Sequence, residues 1–217
     1  MIKENILIKD VLSKVDIDSC PEKINLHTHT LCSDGSLNPI DLLKQANQLG
    51  LEHLAITDHH TLHAHHIINT WLHDAHIESI STRLWTGIEI SALLNGCLVH
   101  IIGLDIDINS KFIEPYTKGE AVTGSDLLAV NVIKAIKKSN GISILAHPAR
   151  YRKDYKLMIE QANLLNIDAI EVWYDYDFLP IWMPSVHICK LINKIVDSTR
   201  LLKSCGTDSH GYSLLGR

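Results

Sequence analysis

The sequence predicts an α/β barrel, and three observations carry that reading. Short apolar runs alternate with helical patterns along much of the 217 residues, the rhythm of βα units. A histidine or a carboxylate stands at the end of nearly every such run, the position at which β/α barrels place functional groups. The chain is also long enough for one large α/β domain or barrel. Its 46% hydrophobic and 21% charged residues are those of an ordinary globular protein.

Residues 1–23 read as a short leader ahead of the first strong strand, and residues 24–217 as one domain. Lys23–Leu26 is the first strand and runs into His27. Pro39 and Gly50 bracket a helix with Leu42, Leu43, Ala46 and Leu49 on one face. Leu54–Thr57 is a short strand that delivers Asp58 and His59, and a histidine-rich, helical segment runs from Thr61 to His76. Thr86–Leu94 and Cys97–Leu104 flank Asn95-Gly96, a strong hairpin signal. A regular hairpin sets Glu89 opposite Ile102 and Ser91 opposite His100, with all four side chains on one face; a bulge would break that register. Residues 105–124 are loop-like, and Leu127–Lys138 is a helix stopped by Asn140-Gly141. Ile142–Ala146 delivers His147, Tyr155–Leu165 is helical, and Ala169–Trp173 is the next strand. A helix starts at Pro184-Ser185 and reaches about Ser198, and Leu201–Cys205 delivers Asp208 and His210.

The residues at these ends form a metal-ligand set: His27, His29, Asp34, His59, Glu89, His100, His147, Asp208 and His210. Imidazoles and carboxylates hold zinc, manganese or iron, and such ions activate water at neutral pH, so the chain reads as a metallohydrolase. Any one histidine is more often a satisfied core or surface residue, and Ser33-Asp34-Gly35 is also an ordinary turn; the argument rests on the set as a whole. The run His60, His63, His65, His66, His73 and His76 reads as a solvated face, with no glutamate after His59 to complete a zinc-protease pattern.

The net charge of −5 resembles no basic nucleic-acid coat. The five cysteines are scattered singly, which argues against thiolate zinc sites and against a disulfide framework. The first ten residues lack the apolar core of a signal peptide, and no apolar stretch reaches the ~20 residues of a membrane span. A soluble cytoplasmic protein with no membrane partner and no obligate protein partner is expected.

The motifs H-x-H-T, S-D-G, T-D-H, G-I-E-I-S, V-H-I-I-G, A-H-P-A-R and G-T-D-S-H occur in that order from about residue 24 onward. In this they resemble the PHP (polymerase and histidinol phosphatase) family of metal-dependent phosphoesterases. The resemblance implies a distorted (β/α)7 barrel with two or three divalent ions at its mouth, manganese, zinc or iron. His27, His29, Glu89 and Asp208 would hold one ion. Glu89, as a bridge, would share a second with His100 and His147, and Asp34, His59 and His210 would hold the third. Arg150 looks like the phosphate-binding arginine of the subgroup acting on nucleoside bisphosphates and on 5′ ends of short oligonucleotides, and it joins Glu89 and Asp208 as the residues expected to carry catalysis. The Asp105–Gly141 connection is shorter than the helical insert usual in that subgroup, which implies a more open mouth.

A phosphoesterase acting on small phosphorylated substrates, nucleotides or short oligonucleotides foremost, is therefore expected. The alternatives are a histidinol-phosphate-type phosphatase, a non-catalytic metal-binding module, or metal-dependent deacylation. Asp34 stands where the first usually has histidine, the second predicts missing ligands, and the third commonly needs a bridging lysine that no strand end supplies. Trp173, Tyr174 and Tyr176 offer either base-stacking faces or core packing.

Overall fold

The computed structural model describes residues 6–74 and 80–216. Seven strands stand side by side in chain order: β1 (Ile24–Asn25), β2 (His53–Ile56), β3 (Arg83–Leu94), β4 (Cys97–Leu104), β5 (Ile142–Leu145), β6 (Ala169–Trp173) and β7 (Leu202–Cys205). Neighbours pair in parallel except β4, which runs antiparallel to both β3 and β5. The chain past β7 returns to the chain past β1. Leu26 N–H donates to the Cys205 carbonyl (3.1 Å), Asp208 N–H to that of His27 (2.9 Å) and His29 N–H to that of Ser209 (3.1 Å). These bonds close the ring, so the fold is the seven-stranded α/β barrel, and β4 is its distortion.

That distortion follows from the Asn95-Gly96 turn. Both residues adopt positive φ (48° and 71°), as a tight hairpin turn requires. The pairing is regular, with Glu89 opposite Ile102 and Ser91 opposite His100. Elsewhere the crossovers are helical: α2 (Pro39–Leu49), α3 (His63–Asp74), α4 (Ala129–Lys138), α5 (Tyr155–Leu164) and α6 (Val186–Asp197), with a short α1 (Ile8–Leu12) ahead of β1. Asn38 accepts the Ile40 N–H and Asp154 accepts those of Lys156 and Leu157, which satisfies the open first turns of α2 and α5. Gly50 ends α2 in the left-handed conformation. His76 of the histidine-rich segment lies outside the described residues.

The main core contains Leu26, Ile88, Ile90, Ile101, Ile102, Ile144, Leu145, Ile170 and Val172 from both faces of the strands and extends to α4, α5 and α6. Ile8, Val11, Leu12 and Val15 belong to that same core. A second cluster joins α2 and α3 to β2 through Leu42, Leu43, Ala46, Leu54, Ile56 and Ile68. No helix among the described residues is long and apolar enough to cross a membrane.

Candidate metal centre

The nine expected ligands converge on one mouth of the barrel. His27 and His29 follow β1, His59 follows β2, His147 follows β5, and Asp208 and His210 follow β7. Glu89 and His100 instead sit inside β3 and β4, because the hairpin strands run on past the rim where the shorter parallel strands stop. His27 and His29 are buried on the floor. Asp34, His59, Glu89, His100, His147, Asp208 and His210 line the cleft above, about 380 Å³, with Arg150 at its edge. Two glycines permit this crowding. A Cβ at Gly206 would stand 2.2 Å from the His27 Cβ, and one at Gly35 2.5 Å from the His29 carbonyl carbon. Only glycine lets these segments approach so closely.

Glu89 is the centre of the arrangement. Its Oε2 lies 3.2 Å from Nε2 of His27, 3.2 Å from Nε2 of His29 and 3.3 Å from Nδ1 of His59. Its Oε1 lies 2.9 Å from Nδ1 of His100 and 3.3 Å from Nε2 of His147. One carboxylate thus faces two imidazole groups with different oxygens. Asp208 Oδ1 completes the floor at 3.3 Å from His27 and 3.1 Å from His29. Donor atoms fall into three overlapping sets, each compact enough for one ion: His27, His29, Glu89 and Asp208; His59, Glu89 and His100; and His29, Asp34, His59 and His210. The first matches the set implied by the resemblance. In the second His59 stands with Glu89 and His100, while His147 approaches the same Glu89 oxygen as His100; the third adds His29 to Asp34, His59 and His210.

The electrostatics favour cations. Burial alone would lower His27, yet Glu171, Glu89 and Asp208 raise it well above the ordinary histidine value. His29 reaches about 9, because Asp208 and Glu89 outweigh its burial. Burial would raise Glu89 and Asp208, but the surrounding imidazoles hold both well below the usual carboxylate range. Protons on His27 and His29 therefore stand where buried carboxylates demand positive charge. Burial drives His59 down to about 4 and also lowers His147, which leaves those rings neutral, the form that ligates metal. Nε2 of His27 and both ring nitrogens of His29 are buried and have no well-aligned hydrogen-bond partner, only carboxylate oxygens at 3.1–3.6 Å. Buried polar atoms are rarely left so, and a divalent ion fits this donor set.

Partners of the candidate ligands include one residue that pattern reading did not single out. Glu171, fully buried on β6, accepts from Nδ1 of His27 at 2.9 Å and from the His147 backbone N–H at 2.8 Å. Its signal was present as a lone acid in the apolar strand Ala169-Ile170-Glu171-Val172-Trp173. Asp58 touches the site indirectly. It accepts from the Thr30 N–H (2.7 Å), the Thr30 hydroxyl (2.6 Å) and the Ser33 hydroxyl (2.7 Å), which fixes the loop bearing Asp34. His210 donates from Nδ1 to the Asp208 carbonyl (2.8 Å) and turns Nε2 toward Asp34 (3.3 Å).

The reading of the histidine-rich run changes, and two of the three rim aromatics take the core-packing alternative. His60 and His65 are buried, not solvated. His60 Nε2 pairs with the Ser91 hydroxyl (3.1 Å), and His65 Nε2 donates to the carbonyls of Ile56 (3.1 Å) and Gly87 (3.0 Å). Burial beside strand backbone explains what helical spacing could not reveal. Trp173 and Tyr174 are likewise buried and offer no open stacking face. Tyr174 instead donates its hydroxyl to Asp208 Oδ2 at 2.6 Å. Arg150 is brought into the site: Nη1 donates to the same Asp208 oxygen (2.9 Å) and to the Tyr174 hydroxyl (3.0 Å).

Comparisons with known proteins agree with this architecture. The 5'-3' exoribonuclease of Haemophilus influenzae is 35% identical over 88 residues, 40% of this chain and 30% of that protein. The 5'-3' exoribonuclease Rnm of Escherichia coli is 38% identical over 84 residues, 39% of this chain and 28% of that protein. The matched stretch thus spans under a third of either relative. Among solved structures, an amidohydrolase from Chromobacterium violaceum with bound sulfate and no metal superposes with a TM-score of 0.71 at 17% identity, covering 90% of each chain. At that identity the likeness concerns the fold. The family model of the PHP domain matches residues 25–169, more than half of the sequence, and the chain belongs to that family.

Proposed function

We propose that this protein is a metal-dependent phosphoesterase acting on phosphate esters of nucleotides, nucleoside bisphosphates or short oligonucleotides. The observation that carries the reading is Glu89, whose two oxygens face separate groups of imidazoles while Arg150 stands at the rim of the same cleft. His27, His29, Glu89 and Asp208 would hold one ion. Glu89, His100 and His147 would hold a second, and Asp34, His59 and His210 a third. Ions in such sites supply activated water and neutralise charge on a phosphoryl group.

The chain's own residues orient and restrain. Glu171 accepts a hydrogen bond from Nδ1–H of His27 and so keeps its Nε2 lone pair turned into the site. Tyr174 and Arg150 occupy Oδ2 of Asp208, leaving Oδ1 toward His27 and His29. Arginine has further N–H donors in a planar fork, suited to phosphate oxygens. The 5'-3' exoribonuclease names of the sequence relatives support a nucleotide-bearing substrate. The test is phosphate release by manganese-loaded protein over a panel of nucleotides, nucleoside bisphosphates, 5′-phosphorylated oligoribonucleotides and sugar phosphates. Turnover concentrated on nucleotide substrates is expected; turnover on none of the panel would overturn the reading.

A further inference from the structure

The antiparallel ladder between β4 and β5 is interrupted at the rim by a side chain. Ile102 pairs with Ile144 and Ile101 with Leu145, so His100 comes opposite Ala146. The Ala146 N–H donates to the His100 carbonyl at 3.1 Å, one half of the exchange that a hydrogen-bonded antiparallel pair makes. Tyr151 takes over the other half. Its hydroxyl accepts the His100 N–H at 2.8 Å and donates to the Ala146 carbonyl at 3.0 Å. A tyrosine hydroxyl can do both at once. Tyr151 reaches this gap from the end of the short turn Pro148–Arg150, which follows His147 directly.

Tyr151 therefore touches both arms of one candidate ion site. It accepts the N–H of His100, and it holds the carbonyl of the residue before His147. Nδ1 of His100 and Nε2 of His147 approach the same Glu89 oxygen, at 2.9 and 3.3 Å, with their ring centroids 5.5 Å apart. The Tyr151 ring centroid also lies 5.5 Å from that of His147. Without the hydroxyl, the His100 N–H and the Ala146 carbonyl would lose their partner, at a cost, or close on each other in a direct bond. Closure would draw β4 toward the chain that carries His147 and shift both imidazoles against Glu89. We infer that Tyr151 is a positioning residue, whose hydroxyl sets the spacing of His100 and His147 for the second ion. The inference rests on the metal-centre reading above and adds the group that keeps two of its ligands in register.

The test is calorimetric titration of metal-free, full-length protein with manganese, with circular dichroism to check the fold. Tyr151→Phe keeps the ring and removes only the hydroxyl. It should weaken one ion roughly 10–100-fold, as loss of an outer partner does, and leave the affinity for any other ion within about twofold. Added to His100→Ala, which removes a ligand of that ion, it should cost nothing further. Wild-type affinities throughout, equal losses at every ion, or a full additional loss in the His100→Ala background would overturn the role. A second measurement needs no variant: in the metal-free wild-type protein the His100 amide should be strongly protected from hydrogen exchange, and exchange at the rate of an open amide would overturn the inference as well. Wild-type protein that bound at most one manganese would instead overturn the multi-ion reading on which the inference rests.

Discussion

Glu171 accepts a hydrogen bond from Nδ1–H of His27 at 2.9 Å and, through its other oxygen, one from the backbone N–H of His147 at 2.8 Å. One carboxylate on β6 thereby orients the His27 ring and holds the His147 backbone. His147 needs that hold, since it adopts φ +27°. Glu171→Gln can still accept at one atom, but its amide donates where a carboxylate only accepts. We expect a roughly 10–100-fold loss of metal affinity or activity, the usual consequence of disturbing the outer partner of a ligating histidine. Metal titration of the variant, with circular dichroism to check the fold, measures it; wild-type affinity would remove Glu171 from this role.

Glu89→Gln should be more severe. It removes the charge facing five imidazoles at once. Activity should fall by more than the roughly 10–100-fold of an outer partner, and bound metal per chain should drop in elemental analysis. A variant that kept wild-type turnover would place the chemistry elsewhere.

Proton linkage gives a third expectation. His29 is raised from 6.5 to about 9, and a group raised on folding contributes stability that is full below its unfolded value and lost as pH rises through its folded value. The metal-free protein should therefore lose this contribution between pH 6.5 and about 9. Because the proton must leave before Nε2 can ligate, metal uptake at neutral pH should release protons, and apparent affinity should climb with pH up to about 9. Calorimetry in two buffers of different ionisation enthalpy reads the release. Identical heats would contradict it.

The N-terminal segment offers a stability test. Leu12 is 1% exposed within the main core, although its position in the sequence reads as part of a leader. Leu12→Ala should cost about 2–5 kcal/mol, read as a lower urea midpoint. A change under about 0.5 kcal/mol would mean that this segment is dispensable to the barrel.

Much of this was legible in the sequence, for physical reasons that also mark the limits. Strand ends announce their ligands because each short apolar run stops at a polar group, as at Ile144-Leu145-Ala146-His147. The Asn95-Gly96 turn fixes a two-residue loop, and that in turn fixes which residues oppose Glu89 and His100. Glu171 was not found because a single buried acid has no spacing partner; its meaning comes from β6 lying near His27 across 144 residues of chain. His65 was misjudged because it stands between His63 and His66 in sequence, while its burial depends on where α3 lands against β2 and β3.

Arg150 gives the last expectation. Reading the motif alone suggests an arginine whose whole fork awaits phosphate, but Nη1 already donates to Asp208 and Tyr174. Removing the side chain should then act twice. Asp208 loses a charge-assisted bond, roughly 1.5–3 kcal/mol, although Tyr174 retains its own bond to Oδ2. A bound phosphate loses a cationic contact as well. Arg150→Ala should lower kcat/KM by at least about tenfold, and the loss should be largest on substrates with a second phosphate if Arg150 holds the non-reacting one. Arg150→Lys should recover part of the charge but not the planar fork. Kinetics on adenosine 3′,5′-bisphosphate and on a simple aryl phosphate separate the roles. A larger loss on the bisphosphate assigns Arg150 to the second phosphate. Equal losses assign it to the reacting phosphate or to Asp208, and the metal content of the variant distinguishes those two, since only the latter lowers it. No loss on either substrate would remove Arg150 from the site.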